Sequence, residues 1–218
     1  MIHTYAASRH PPENKRPAQT ESAGLETNFP SKQTGKKAGV AILISDNTDF
    51  KKRAIRRDPE GHFIILKGRI HQEDKNIVNI YAPNIGTPKY IKKILEDFKK
   101  DIDSNTIIVG DFNTPLSKLD GCSKQNINKD IVALNNALDE MDLTEIYRAF
   151  HPKEAKYTFF PNAHVIFSQV NHMIGHKTSL KSSRKLKSYH AFSLTTGTET
   201  RNKSQGINPK TLKNMEIE

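Results

Sequence analysis

Residues 107–115 read IIVGDFNTP, an apolar run of β-forming residues followed by a glycine, a carboxylate and a carboxamide. The run predicts a buried strand over 106–111 that leaves Asp111 and Asn113 at its end. An ionised aspartate at a sheet edge can orient and deprotonate water, and an asparagine amide can donate to an anion. Hydrolysis of a phosphodiester uses both groups. The structural alternative is an Asx turn before Pro115, in which both side chains serve only the local backbone.

The sequence around this stretch predicts strands mixed with two amphipathic helices. Apolar and β-branched runs bounded by polar turns indicate the strands, and apolar residues recurring every three or four positions indicate the helices. The predicted strands span 39–45, 62–70, 76–83, 106–111, 155–160 and 164–170. The predicted helices span 89–102 and 129–141. This mixture predicts an α/β fold.

The composition favours a polyanionic partner. The 218-residue chain has 34 Lys and Arg against 24 Asp and Glu, which gives a net charge of +10. Such a charge favours nucleic acid as a partner. The single cysteine, Cys122, excludes an intramolecular disulfide and predicts an intracellular location, nuclear or cytoplasmic. No apolar run approaches the length of a membrane span, so no membrane partner is predicted.

Polar sequence at both ends sets the predicted domain boundaries. Residues 1–35 are rich in Pro, Ser, Thr, Lys and Gln, and they predict a disordered, low-complexity tail. Residues 195–218 predict a second, polar disordered tail. The folded domain is therefore predicted over 36–194.

Four strings in the chain, taken together and in order, resemble the endonuclease domain of LINE-type retrotransposons. They are KKAGVAILISD (36–46), IYAPN (80–84), GDFNTPL (110–116) and YTFF (157–160). That domain belongs to the endonuclease/exonuclease/phosphatase superfamily, as the apurinic endonucleases do. The resemblance implies a two-sheet α/β sandwich that cleaves DNA with a divalent metal, usually Mg²⁺. It also implies DNA as the partner.

The resemblance also implies roles for individual residues. Asp111 would orient or activate the attacking water, Asn113 would contact the scissile phosphate, and His190 would be a phosphate-contacting imidazole. The residues implied to bind substrate are Tyr81, Asn84 and Thr158. Each of the three also has a purely structural explanation. Tyr81 could be an aromatic residue at a strand end, Asn84 a turn-forming residue and Thr158 an ordinary strand residue.

The family pattern is incomplete in this chain. The family's first two strands and its metal-binding Glu precede the KKAGVAIL segment, where this chain has only the predicted tail, so a partial sandwich is expected. Asn171 occupies the position of the carboxylate that orients the catalytic His, and Tyr189 replaces another carboxylate. Moreover, no Asp or Glu occurs between Glu154 and Glu199. Mg²⁺ prefers charged oxygen ligands, so its ligands are not identified; the other acids considered are Asp46, Asp120 and Asp130.

The sequence therefore predicts the relic of a Mg²⁺-dependent DNA endonuclease whose catalysis is impaired or lost. One alternative is a non-catalytic, basic nucleic-acid-binding module, in which the acid-free segment 176–190 contacts the phosphate backbone instead of being a solvated tail. Another is a non-functional translated fragment. Loss of the first strands would also leave an exposed sheet edge. The oligomeric state is not predicted.

Overall fold

The computed structural model describes residues 2–7, 27–30, 39–45, 47–70, 72–120, 127–153, 170–180 and 192–197. The strands are β1 (Ile2–Ala7), β2 (Thr27–Pro30), β3 (Gly39–Ile44), β4 (Phe50–Arg57), β5 (Phe63–Ile70), β6 (Glu73–Tyr81), β7 (Thr106–Asp111), β8 (Leu143–Glu145), β9 (Asn171–His176) and β10 (Phe192–Gly197). The helices are α1 (Thr87–Asp97), α2 (Lys129–Glu140), α3 (Ile146–Phe150) and α4 (Lys177–Leu180), with a 3₁₀ turn at Lys118–Asp120.

The strands form two sheets. The larger has six strands in the order β4-β5-β6-β7-β9-β8, and the smaller has the order β10-β1-β3-β2. In the larger sheet β6 and β7 are parallel, and the other neighbours are antiparallel. A mixed sheet with helices confirms the predicted α/β fold. The large sheet is open, with β4 and β8 as its edges.

One apolar core lies between the two sheets. Alternate residues of β3 are buried, and they join alternate residues of the central strands of the large sheet. These core residues include Val40, Ile42, Ile44, Ile64, Leu66, Ile77, Ile107 and Val109. The buried Asn79 of β6 also crosses the gap, because its Nδ2 donates to the Ala41 carbonyl of β3 at 2.9 Å.

A second core lies between the large sheet and the helices. The opposite faces of the same strands contribute Ile65, Val78, Ile80, Ile108 and Ile174. These pack with the apolar faces of α1 and α2, as the 3.6-residue period predicted. Helix α2 begins after Asn128, whose Oδ1 accepts from the backbone N–H of Ile131 at 2.9 Å. None of the described helices is long and apolar enough to span a lipid bilayer.

The structure differs from the sequence prediction at both ends. Strands β1 and β2 lie within residues 1–35, for which a disordered tail without N-terminal strands is predicted, and β10 extends past residue 194 to Gly197. Six residues of β1 pair with both β3 and β10, and Ile2 is fully buried. Such short strands depend on distant partners for their hydrogen bonds, so local periodicity does not reveal them.

Within the domain, β3, β5, β6, β7, α1 and α2 confirm the predicted elements, with shifted ends. The sequence missed β4, because five of its eight residues are Lys or Arg and hide the strand pattern. It also missed β9, because the last predicted strand ended at residue 170. The predicted strand at 155–160 lies outside the described residues, as does 164–170 apart from Val170, which is not in a strand.

Candidate functional site

The ends of three neighbouring strands, β6, β7 and β9, lie together at one end of the large sheet. We call this end the rim. Strands β6 and β7 run parallel and bring Tyr81 into register with Asp111. On the other side of β7, the antiparallel β9 begins with Asn171 opposite Asp111. The fold thus brings Tyr81, Asp111 and Asn171 into one row across neighbouring strands.

The row faces the gap between the two sheets. Ile107 and Val109 belong to the core between the sheets, and the two-residue period of β7 puts Asp111 on the same side. Tyr81 packs against that core, and Met173, two residues after Asn171, does too. The candidate site is therefore the end of the gap between the sheets.

Gly110 is required for this arrangement. Its φ is +145°, and a Cβ built on it would lie 1.9 Å from the backbone oxygen of Ile80 on β6. No side chain fits at that distance, so only glycine allows β6 and β7 to approach here. The glycine of GDFN thus sets the close approach of the two strands that end at Tyr81 and Asp111.

The Asp111 carboxyl is largely removed from solvent. Its residue is 7% exposed, and burial raises the pKa of the carboxyl above the ordinary aspartate value. A hydrogen bond from the backbone N–H of Asn113 to Oδ1, 3.0 Å long, and the charge on His172 lower this pKa in part. The net direction is upward, so ionisation of Asp111 is disfavoured in the folded protein.

Asn113 closes the turn that follows β7. Its φ is +47°, a left-handed conformation that asparagine tolerates better than most residues. Its Nδ2 donates to the Ala82 carbonyl at 2.7 Å, and its backbone N–H bonds to Asp111. The Asx turn, set out as the structural alternative, is therefore present. It is compatible with function, because Nδ2 carries a second hydrogen and makes no other bond among the described residues.

Two buried side chains hold the loop that follows the rim. Asp120 accepts from the backbone N–H groups of Leu116 at 3.0 Å and Ser117 at 2.7 Å, and Arg148 Nη2 donates to its other oxygen at 2.6 Å. His172 is fully buried, and its Nε2 lies 3.0 Å from the Thr114 carbonyl. Since a carbonyl only accepts, Nε2 is the donor. The sequence missed these contacts, since Asp120 and Arg148 are 28 positions apart and no local pattern links them.

The remaining predicted site residues fall in two groups. Asn84 is exposed in the loop after β6, three positions beyond Tyr81. In contrast, Thr158, Tyr189 and His190 lie outside the described residues, so their roles stay predictions. The basic segment 176–190 is described only to Leu180, where Lys177 forms an ion pair with Asp139 at 2.9 Å.

The described residues do not fit a Mg²⁺ ion at the rim. Asp111 is a single, buried carboxylate, and the residue opposite it is the amide Asn171. Of the other acids considered, Asp120 is used within its own loop and Asp130 pairs with Lys89 at 3.3 Å, while Asp46 lies outside the described residues. No group of three or more His, Cys, Asp or Glu that could hold a metal exists in the described part of the chain.

No protein-family model matches the sequence. Solved structures do match the fold. The endonuclease domain of TRAS1, a telomere-specific non-LTR retrotransposon, has a TM-score of 0.55 and 15% identity, over 71% of this chain and 68% of that chain. An AP endonuclease from Archaeoglobus fulgidus has a TM-score of 0.59 and 17% identity, over 83% and 77% of the two chains.

The 3'-5' exonuclease NExo from Neisseria meningitidis is also similar, with a TM-score of 0.57 and 19% identity over 83% of this chain and 89% of that chain. These identities are low, and the likeness concerns the fold. This chain has the endonuclease/exonuclease/phosphatase fold, which confirms the fold that the resemblance implies.

Proposed function

We propose that this chain is a DNA-binding protein descended from a LINE-type endonuclease, and that it does not hydrolyse the DNA it binds. The observation that carries the proposal is the Asp111–Asn171 pair. The resemblance implies a carboxylate at position 171, where the chain has an amide, so the Asp111–Asn171 pair carries at most one negative charge. Among the described residues, the rim has groups that can bind phosphate and lacks the charges that would support cleavage.

Binding to the DNA backbone is supported by the donors around the rim. Asn113 and the exposed Asn84 are amides, and each has an N–H group that can donate to a phosphate oxygen. The net charge of +10 adds a non-specific attraction to any nucleic acid. Several of the similar structures are DNA-processing enzymes, including the NExo 3' phosphatase bound to a product DNA hairpin. DNA is therefore the partner that we propose.

Impaired hydrolysis is supported by the chemistry of phosphodiester cleavage. The attacking water must lose a proton, and the charge that develops on the phosphate oxygens must be stabilised. Asp111 is a candidate base for this proton, and burial raises its pKa. A single base does not stabilise the charge that develops on the phosphate oxygens. The Asn171 amide carries no negative charge to hold a cation or an imidazolium. Replacing the carboxylate of a catalytic Asp–His pair by an amide costs about 10⁴ in rate in the best-studied hydrolases.

Binding at the rim is tested with a fluorescein-labelled 30-base-pair duplex and anisotropy. We expect the wild-type chain to bind, and Asn113→Gly to weaken binding about tenfold, because one hydrogen bond to a charged group is lost. Glycine accepts the φ of +47° at position 113, so the substitution removes the amide without straining the turn. Asn136→Ala, at an exposed position on α2, is the matched control and should bind as wild type does. Equal affinities for wild type and Asn113→Gly would overturn the role of the rim.

A further inference from the structure

We propose that strand β4 is a second nucleic-acid-binding surface, separate from the rim. Its sequence is FKKRAIRR, so five of its eight residues are basic and none is acidic. Lys51, Lys52, Arg53 and Arg56 are exposed, and Arg57 is half-buried. We call these five residues the β4 strip. The strip extends the proposed DNA-binding function but does not depend on the rim.

The neighbouring acids do not balance the strip. Asp74 bonds both Arg53 at 3.0 Å and Arg69 at 3.1 Å, and these two arginines lower the pKa of Asp74, which therefore stays charged. Lys67 of β5 pairs with Asp101 at 2.6 Å. Of the seven basic residues of β4 and β5, Arg53, Arg69 and Lys67 form these ion pairs, which involve two carboxylates. Asp49 precedes the strand, and Asp58 and Glu60 follow it, so acids flank the strip at both ends.

The Arg56 guanidinium lies over two aromatic rings. The guanidinium carbon lies 5.0 Å from the ring centre of Phe98 and 5.9 Å from that of Phe63, within cation–π range. The two rings pack edge to face, with their centres 4.9 Å apart. The residue remains exposed, so the stem is ordered while the charge faces water. A phosphate bound here would order this side chain at a lower entropic cost than a free arginine.

The position of β4 suits an extended polyanion. As an edge strand it has a neighbour on one side only, and side chains from both of its faces flank the free edge. From Lys51 to Arg57 it is about 20 Å long at about 3.3 Å per residue. That length corresponds to about six phosphates along one strand of a duplex, at about 3.4 Å of axis per phosphate.

The strip also connects with the candidate site. Through β5 and β6, the Arg57 end of β4 lies at the same end of the sheet as Tyr81 and Asp111. Three strand spacings separate β4 from β7, or about 14 Å. One nucleic acid can therefore contact the strip and the rim together.

Protection of a sheet edge is the competing explanation for these charges. Lysines and a β-bulge are common devices against edge-to-edge pairing, and β4 has a register shift between Lys52 and Ala54. However, edge protection works with charges of either sign, whereas every charge on β4 is positive. The uniform sign is what nucleic-acid binding requires and edge protection does not.

The test compares Lys51→Gln/Lys52→Gln with Lys93→Gln/Lys129→Gln, which removes the same charge from exposed positions on α1 and α2. Binding to the labelled 30-base-pair duplex is measured by anisotropy between 50 and 200 mM salt. We expect the strip variant to bind about tenfold more weakly or worse at low salt, with the slope of log K against log salt reduced by about 2. The control variant and Lys51→Arg/Lys52→Arg should bind as wild type does. Thermal unfolding should be unchanged, since both lysines are exposed.

Four outcomes would overturn the inference. They are unchanged binding by the strip variant, an equal loss in the control variant, self-association of the strip variant with unchanged DNA affinity, or stronger binding of the wild type to phosphatidylserine vesicles than to the duplex. Failure of the rim proposal is distinguishable in the same assay. A loss in Asn113→Gly without a loss in the strip variant rejects the strip alone, and the reverse result rejects the rim alone.

Discussion

Asp111 and Asn171 lie directly opposite each other on β7 and β9. The backbone N–H of Phe112 donates to the Val170 carbonyl at 2.8 Å, so Phe112 and Val170 form a hydrogen-bonded pair of the antiparallel ladder. The next pair, Asp111 and Asn171, is therefore a non-hydrogen-bonded pair. In such pairs the Cα atoms are about 4.5 Å apart and the side chains are close. A carboxylate at position 171 would stand beside Asp111, so this one amide decides how much negative charge the rim carries.

The stability of the Asn171→Asp variant is predicted to depend on a divalent cation. Without metal, two like charges directly opposite should lower the free energy of unfolding at pH 7 by about 0.5–1 kcal/mol. Mn²⁺ at millimolar concentration should then raise the melting temperature of the variant but not that of wild type, because binding to the folded state stabilises it. Asn171→Ala is the control, and it should not respond to Mn²⁺. An equal response from wild type would show that a cation site already exists.

Asp111→Asn is predicted to stabilise the protein at neutral pH. Burial raises the pKa of the Asp111 carboxyl, so the folded state holds this proton more tightly than the unfolded state. The contribution of Asp111 to stability is therefore present below the unfolded pKa and is lost as pH rises through the folded pKa. Urea unfolding at pH 4 and pH 7 measures the free energy of unfolding of both proteins. The value for the variant should rise relative to that of wild type as pH rises. The opposite trend would contradict the direction of the shift.

Gly110→Ala is predicted to be severely destabilising. The new Cβ would meet the Ile80 oxygen at 1.9 Å, and the φ of +145° is unfavourable for alanine. We expect a loss of about 3 kcal/mol or more in the free energy of unfolding, or no folded protein. Gly86→Ala separates the effect of the steric contact from that of the positive φ. Gly86 has a φ of +72° but no atom within 4 Å of its Cβ position. Gly86→Ala should cost about 1–2 kcal/mol. Equal losses at both glycines would reject the close approach of β6 and β7.

Arg148→Met is predicted to leave the buried Asp120 carboxylate without its ion-pair partner. Asp120 is 3% exposed, and breaking a buried pair by removing one member costs about 3–5 kcal/mol. Lys177→Met breaks the exposed pair with Asp139 and should cost less than about 1 kcal/mol. Denaturant unfolding of both variants measures the difference. A loss of under 1 kcal/mol in Arg148→Met would show that the pair does not hold the loop after β7.

The sequence predicted the parts of the fold whose residues signal their own structure. The apolar run before Gly110 predicted β7, and the periodic spacing of Ile91, Ile94 and Leu95 predicted α1. Both elements bury a continuous face, and the hydrophobic pattern records that burial directly. The motif GDFN likewise placed Asp111 and Asn113 at a strand end, where the structure has them.

Elements that depend on distant partners were not predictable in this way. Strand β1 is short and pairs with β3 and β10, whose residues lie far away in the chain. Strand β4 is an edge with little buried surface, so charge replaces the apolar alternation that marks a strand. The Asp120–Arg148 pair and the bond from His172 to Thr114 arise from the tertiary fold alone. The placement of Asp111 opposite Asn171 likewise follows from the fold and not from any local pattern.

Nicking of supercoiled plasmid measures directly whether the chain hydrolyses DNA. Wild type and Asp111→Ala are compared over the same time course, at equal concentrations, with Mg²⁺ and then with Mn²⁺, under salt conditions in which the duplex is bound. We expect wild type to nick the plasmid no faster than Asp111→Ala with either cation. Nicking by wild type that disappears in Asp111→Ala would contradict this expectation and would identify the chain as a working nuclease.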